Sequence, residues 1–200
     1  MAFDRDDLRE RVLDNAEARI AAEGAETLRA RTLAVDAGVS VGTIYNLFGS
    51  MDGALDALFV RLLTRFEGEA RQAVRTAASA SERLMALADA YLDFVVRHEA
   101  AWTALLAHNA RRDAPPGDEA TALQGPAFDL VGDVLADAMP EPDARRRLAR
   151  MLWSSVHGIV QLNYLGIGTD EALGATRAMV ARLVELTLAG LVANGRPASR

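Results

Sequence analysis

The sequence predicts an all-α fold. Apolar residues recur at three- and four-residue steps almost throughout, and no stretch alternates as a half-buried strand would. Half of the 200 residues are apolar, enough to bury one sizeable core, or a small domain and a larger one.

The first helix is expected over about residues 6–23, with Leu8, Val12, Ala16 and Ile20 on one face and Gly24 ending it. Residues 33–48, LAVDAGVSVGTIYNLF, read as the joint between two short helices. A fourth helix starts behind Ser50 and runs to about Thr76. Ser81 caps a fifth, which turns Leu84, Leu87 or Ala88, Tyr91 or Leu92, and Val95 inward. Another follows over about 100–111. RRDAPPGDEA, with Pro115, Pro116 and Gly117 together, is expected to be a mobile surface loop. Residues 128–138 are helical, Pro140 and Pro142 end that segment, and Asp143 caps the next. The last two helices are long, about 143–165 and 170–194, and close with Gly166 and Gly195. This gives about nine helices: a three-helix head at residues 1–50 and a larger helical body at 51–200.

The joint at 33–48 carries the most information. Ala34, Gly38 and Ile44 stand at the spacing A-x₃-G-x₅-I, the framework of a helix-turn-helix. Ala34 is small where one helix crosses the other. Gly38 takes a left-handed turn without a Cβ penalty. Val39 packs beneath the turn, and the Ser40 hydroxyl can cap the next helix. Ile44, Leu47 and Phe48 bury that helix and leave Val41, Gly42, Thr43, Tyr45 and Asn46 on its other sides. A helix held in this way can enter a DNA major groove. An ordinary helical hairpin with a Gly turn has the same spacing.

The continuation YNLFGSMDGALDALF decides for the first of these. Over roughly residues 8–60 the chain resembles the TetR family of bacterial transcription regulators. The resemblance rests on the G-V-S turn at Gly38–Ser40, the G-T-I-Y run at Gly42–Tyr45, Phe48, the helix-capping Ser50 and the apolar Leu55. The family usually carries Lys after the capping Ser, where it reaches a phosphate, and often after the turn Ser. Here those positions hold Met51 and Val41.

Charge bears on the same point. The chain's net charge is −6, and residues 1–52 alone carry six Arg against ten carboxylates. Affinity for a polyanion needs local rather than total positive charge. Arg29 and Arg31 stand near the start of the second helix, which crosses the backbone in this motif. Arg5 and Arg9 stand where an N-terminal arm or first turn could reach the duplex. Hydroxyls and helix N-termini can add uncharged phosphate contacts. Modest affinity and a shallow salt dependence are therefore expected. Every one of the 22 basic residues is Arg, to which no functional weight attaches.

Several functions are disfavoured. No Cys means no disulfide framework, no thiolate metal site and no thiol nucleophile. His98, His108 and His157 lack zincin spacing, no carboxylate pair stands out, and no phosphate-binding glycine pattern or nucleophile elbow occurs. No enzyme, cofactor or metal is expected. The charged start, MAFDRDDLRE, is not a secretory signal, and no apolar run approaches a membrane span of ~20 residues. A cytoplasmic protein without membrane attachment is expected.

Trp153–Tyr164, WSSVHGIVQLNY, resembles the W-x₃-H-G element of a subset of TetR C-terminal domains. Trp153 and His157 share a helix face, and Gly158 leaves room for a close helix approach. One reading is packed core with a single hydrogen-bonded His. In the other, His157 and Gln161 are the polar contacts of a ligand cavity. Tyr91, Phe94, His98 and Trp102 are likewise either core or the aromatic wall of that cavity.

The resemblance implies a homodimeric, ligand-responsive DNA-binding regulator, most often a repressor. Its DNA contacts would be Arg29, Arg31, Ser40, Val41, Gly42, Thr43, Tyr45 and Asn46. Its ligand contacts would be Tyr91, Phe94, His98, Trp102, His157 and Gln161. The partners implied are double-stranded DNA, a small and mostly apolar effector with one or two polar groups, and a second copy joined through the last two helices. With no basic cluster among the ligand residues, a strongly anionic effector such as a nucleotide is not expected. Leu173, Val180, Leu183, Val184, Thr187, Leu188 and Leu191 form the stripe expected at that junction. The alternatives are an activator of the same fold, and a soluble all-α ligand-binding protein or enzyme whose head has lost DNA affinity.

Overall fold

The computed structural model describes residues 4–110 and 128–194. Among these residues there are nine α-helices and no strand. They are α1 (Arg5–Glu23), α2 (Ala30–Ala37), α3 (Val41–Phe48), α4 (Met51–Val74), α5 (Ala80–Arg97), α6 (Glu99–Ala110), α7 (128–134), α8 (Pro142–Asn163) and α9 (Asp170–Asn194). The proline-rich stretch expected to be a loop, 111–120, lies outside the described residues.

The described residues pack as two compact units. The first holds α1–α3, α4 as far as Thr64, and α6; the second holds α4 from Arg65, then α5 and α7–α9. Helix α4 thus supplies residues to both.

In the first unit, Asp4 caps α1 by accepting the Asp6 N–H at 3.1 Å. Val12, Leu13, Ala16 and Ile20 form the buried face of α1. They share a core with Leu33, Ala34, Ile44, Leu58, Leu62 and Leu105. The turn from α3 to α4 is closed around Gly53, where a Cβ would lie 2.1 Å from the Phe48 carbonyl oxygen. No other residue fits there.

In the second unit, α5 and α8 both pack on α9. Leu84, Leu87, Ala88, Tyr91, Leu92 and Val95 are all buried, as their spacing predicts. Phe66 sits at the aromatic centre, with ring centroids 5.6 Å from Tyr91, 5.5 Å from Phe94 and 5.5 Å from Trp153. Arg177 on α9 reaches both Asp89 and Asp93 on α5.

The structure corrects several local expectations. Helix α5 is capped by Ser79, not Ser81. The Ser79 hydroxyl accepts the Glu82 N–H at 3.2 Å while the Glu82 carboxylate accepts the Ala78 and Ser79 N–H groups, a reciprocal capping box. Helix α8 is capped by Glu141, which accepts the N–H groups of Asp143 and Ala144, with Pro142 in the first turn where its missing N–H costs nothing. Helix α7 ends at 134, and 135–138 form a turn. In the α9 stripe, Val180 and Val184 are core residues of this chain, at 1% and 3% exposure. A Cβ at Gly158 would meet nothing within 4 Å, so no helix of the described residues uses the close approach expected there.

Candidate functional site

Two places have functional geometry, one in each unit. The first is the α2–α3 hairpin. Gly38 ends α2 in the left-handed conformation, φ 65° and ψ 38°, and its N–H and that of Val39 return to the last carbonyls of the helix. Ser40 Oγ accepts the Thr43 N–H at 3.1 Å and lies 2.9 Å from the Thr43 hydroxyl. Ile44 is fully buried, and Leu47 and Phe48 are half-buried. The opposite side of α3 is open: Tyr45 is 48% and Val41 38% exposed, with Gly42 and Asn46 exposed beside them. Tyr45 and Val41 thus lie together in water beside small and polar residues on one helix face, which makes this face a candidate contact surface.

Basic side chains flank that face. Arg5 on α1 donates to the Asn46 carbonyl at 3.2 Å, and the Arg9 guanidinium lies 5.7 Å from the centre of the Phe48 ring. Arg29 and Arg31 are exposed at the start of α2, where the Thr32 hydroxyl accepts the Arg29 N–H. The acidity of α1 has another destination. Arg61 on α4, 8% exposed, pairs with Asp14 at 2.7 Å, Glu17 at 2.6 Å and Glu10 at 3.6 Å, and donates to the Leu13 carbonyl. Arg19 holds Asp36 through two hydrogen bonds, and these keep the Asp36 carboxyl below its ordinary range. Counting charges along residues 1–52 misses Arg61, because this counterion comes from α4.

The second place is an apolar cavity in the other unit, lined by Phe66, Leu84, Tyr91, Leu130, Leu152 and Trp153 among others. Its free space is only ≈ 50 Å³, so the walls nearly touch. The Tyr91 hydroxyl lies 2.5 Å from His157 Nδ1, and the Tyr91 ring packs on Trp153 at 5.2 Å. Burial lowers the His157 pKa from its ordinary 6.5, which favours the neutral imidazole.

Of the six residues expected to line a ligand site, Tyr91 alone lines this cavity; Phe94 and His157 join the same aromatic cluster, through Phe66 and Tyr91, without lining it. Gln161 is exposed, one turn past His157 on α8. His98 and Trp102 belong to the first unit: His98 Nδ1 lies 2.9 Å from Glu17, and Trp102 packs on Phe59 at 6.1 Å. Tyr91, Phe94, His98 and Trp102 recur at three- and four-residue steps along adjacent helices, but α5 ends at Arg97 and the residues from His98 to the end of α6 pack in the first unit. Sequence reading also missed Phe66 and Leu130, which carry no mark beyond being apolar. Among the described residues, no group of His, Asp and Glu could hold a metal ion, and no helix is long and apolar enough to cross a membrane.

No curated protein matches this sequence. Solved structures do resemble the fold. One is a Rhodococcus sp. RHA1 protein of unknown function, 26% identical over 88% of this chain and 94% of that one, with a TM-score of 0.69. Another is the TetR family transcriptional repressor FadR from Thermus thermophilus in complex with lauroyl-CoA, 19% identical over 88% and 93%, with a TM-score of 0.67. A third is the transcriptional regulator FadR from Bacillus subtilis in complex with stearoyl-CoA, 17% identical over 88% and 96%, with a TM-score of 0.68. Residues 12–58 match the family model described as bacterial regulatory proteins, tetR family. Residues 84–187 match that of the tetracyclin repressor-like C-terminal domain. Together these matches cover the hairpin and most of the second unit, and the chain belongs to the TetR family of bacterial DNA-binding transcription regulators.

Proposed function

We propose that the protein is a homodimeric repressor released from a palindromic operator by a small, mostly apolar effector. The observation that carries the DNA half is the open face of α3: Val41, Gly42, Thr43, Tyr45 and Asn46 stand on a helix fixed from behind by buried Ile44 and flanked by Arg5. Tyr45, Thr43 and Ser40 would meet phosphates and base edges, and Arg29 and Arg31 would meet the backbone. Two such heads, on adjacent turns of a palindrome, would be about 34–36 Å apart or a multiple of it.

The effector half rests on the second-unit cavity. It is apolar, and Tyr91, one of its lining residues, hydrogen-bonds His157 on α8, which puts a polar pair next to an apolar pocket. Two relatives of the same fold hold acyl-CoA ligands, which fits a chain that takes apolar chains into its body. Helix α4 contributes buried Leu58 and Leu62 to the first unit and Phe66 to the second, so it is the natural carrier of the coupling. The homodimer is supported by exposed apolar side chains on the last two helices: Met151 and Leu162 on α8, Met179 and Leu186 on α9. Met151, Ser155, Gly158 and Leu162 follow one another at three- and four-residue steps, a stripe that a second copy could cover.

Footprinting on DNA flanking the gene tests this reading. The expected result is protection with two-fold symmetry, its halves one or two helical turns apart. Absence of protection by folded protein would favour the ligand-binding protein whose head no longer holds DNA.

A further inference from the structure

We propose that the effector is an amphipathic anion, with an apolar chain in the cavity and a carboxylate or phosphate head on a cluster of arginines beside it. This inference deepens the cavity reading above and rests on it. Adjoining the cavity is an open groove lined by Arg71, Arg145, Arg146 and Arg150, with Phe128, Asp129, Gly132 and Asp133. The lining itself carries four positive charges against two negative ones.

Two contacts join cavity and groove. Glu67 lines the cavity and Arg71 lines the groove; they are one turn apart on α4, with Arg71 Nη2 donating to Glu67 Oε1 at 2.7 Å. Trp153 lines the cavity and Phe128 lines the groove, and their rings meet edge to face at 6.0 Å. A chain with its tail among Phe66, Leu84 and Leu130 could therefore place its end at the arginines without crossing a separate layer of protein.

Existing pairing leaves capacity for an anion. Arg146 is paired with Asp143, and Arg71 with Glu67. Arg145 makes a 3.3 Å hydrogen bond to the Met139 carbonyl, a neutral acceptor, and the Arg150 guanidinium lies 5.3 Å from the centre of the Phe128 ring. Guanidinium forks match carboxylate and phosphate oxygens in pairs. An arriving head group would also compete with Glu67 for Arg71. Because the cavity holds only ≈ 50 Å³, the tail must part its walls, and the Phe128–Trp153 contact is the part of the wall that faces the groove.

The test uses the full chain, with dodecanoate, dodecyl phosphate and the neutral dodecan-1-ol as probes below their aggregation concentrations, at low salt. At least one anionic probe should bind roughly tenfold or more tightly than the alcohol, the ratio expected for a charge-assisted hydrogen bond. Whichever anion binds better identifies the head as carboxylate or phosphate. In the Arg145→Gln, Arg150→Gln double variant that advantage should disappear while alcohol binding is unchanged. Glu67→Gln should instead raise the affinity for the anion, a gain that misfolding cannot imitate. If alcohol and anions bind equally and the arginine variant alters neither, the head-group assignment is overturned and the apolar cavity stands. If none of the three binds to folded protein, the cavity reading falls and this inference with it.

Discussion

The Tyr91 hydroxyl and His157 Nδ1 meet at 2.5 Å, a hydrogen bond between α5 and α8 at the edge of an apolar cavity. Burial lowers the His157 pKa from 6.5, so the folded protein binds this proton less readily than the unfolded chain. Stability from this group is present in full above about pH 6.5, falls as pH drops below that value, and stops falling below the folded pKa. Denaturation midpoints measured between pH 7.5 and 5 should show this loss. His157→Asn should flatten the acid limb; an unchanged limb would mean that other groups cause it.

Tyr45 is the most exposed large side chain of α3, and nothing in the chain's own core needs it. Tyr45→Ala should weaken operator binding at least tenfold while moving the thermal midpoint little. Met51→Lys should act in the other direction. It adds a cation in the first turn of α4, beside α3, and should steepen the salt dependence of binding by about one unit. Equal operator affinity in a folded Tyr45→Ala protein would remove α3 from the interface.

Arg61 tells a different story from the surface arginines. It is almost fully buried among carboxylates and carbonyl oxygens of α1, while Asp14, one of its partners, is 66% exposed and can return to water. Removing one member of a buried pair costs about 3–5 kcal/mol, and partial exposure of the partners reduces this. Arg61→Met should therefore destabilise the protein by about 2–3 kcal/mol in urea titrations. A change under about 0.5 kcal/mol would show that the network contributes nothing net.

Leu162 is 81% exposed on α8, and Leu186 is 54% exposed on α9. If a second copy covers them, Leu162→Glu places a charge in that junction and should yield monomers in sedimentation. Wild-type protein that sediments as a monomer at micromolar concentration would end the homodimer reading.

The architecture was legible because its signals are local. Gly24, Gly38 and Ser40 mark helix ends by backbone requirements that few other residues meet, and the structure uses all three as expected. The capping of α5 and α8 was misread because Ser79 and Glu141 compete with Ser81 and Asp143, each two residues away. Only the geometry shows which side chain reaches the free N–H groups. The ligand residues were harder still. Spacing along the chain aligned His98 and Trp102 with Tyr91, but the break after Arg97 sends them to the other unit. The residues expected to line the ligand site include no basic cluster, which spoke against a strongly anionic ligand. The arginine run at 145–150 stands outside that set, and only its position beside Phe128 and Arg71 links it to the cavity.

The claim that joins the two halves is that a ligand in the second unit lowers DNA affinity through the fold. It is tested most directly by titrating a footprinted operator fragment with protein, with and without a probe that a thermal-shift assay shows to bind. A probe at a hundredfold excess over its Kd should stabilise the protein by about 2.7 kcal/mol, which confirms occupancy independently of DNA. The account predicts that occupancy weakens operator binding tenfold or more, and that operator DNA weakens probe binding by the same factor. Saturating probe that leaves operator affinity unchanged would contradict it.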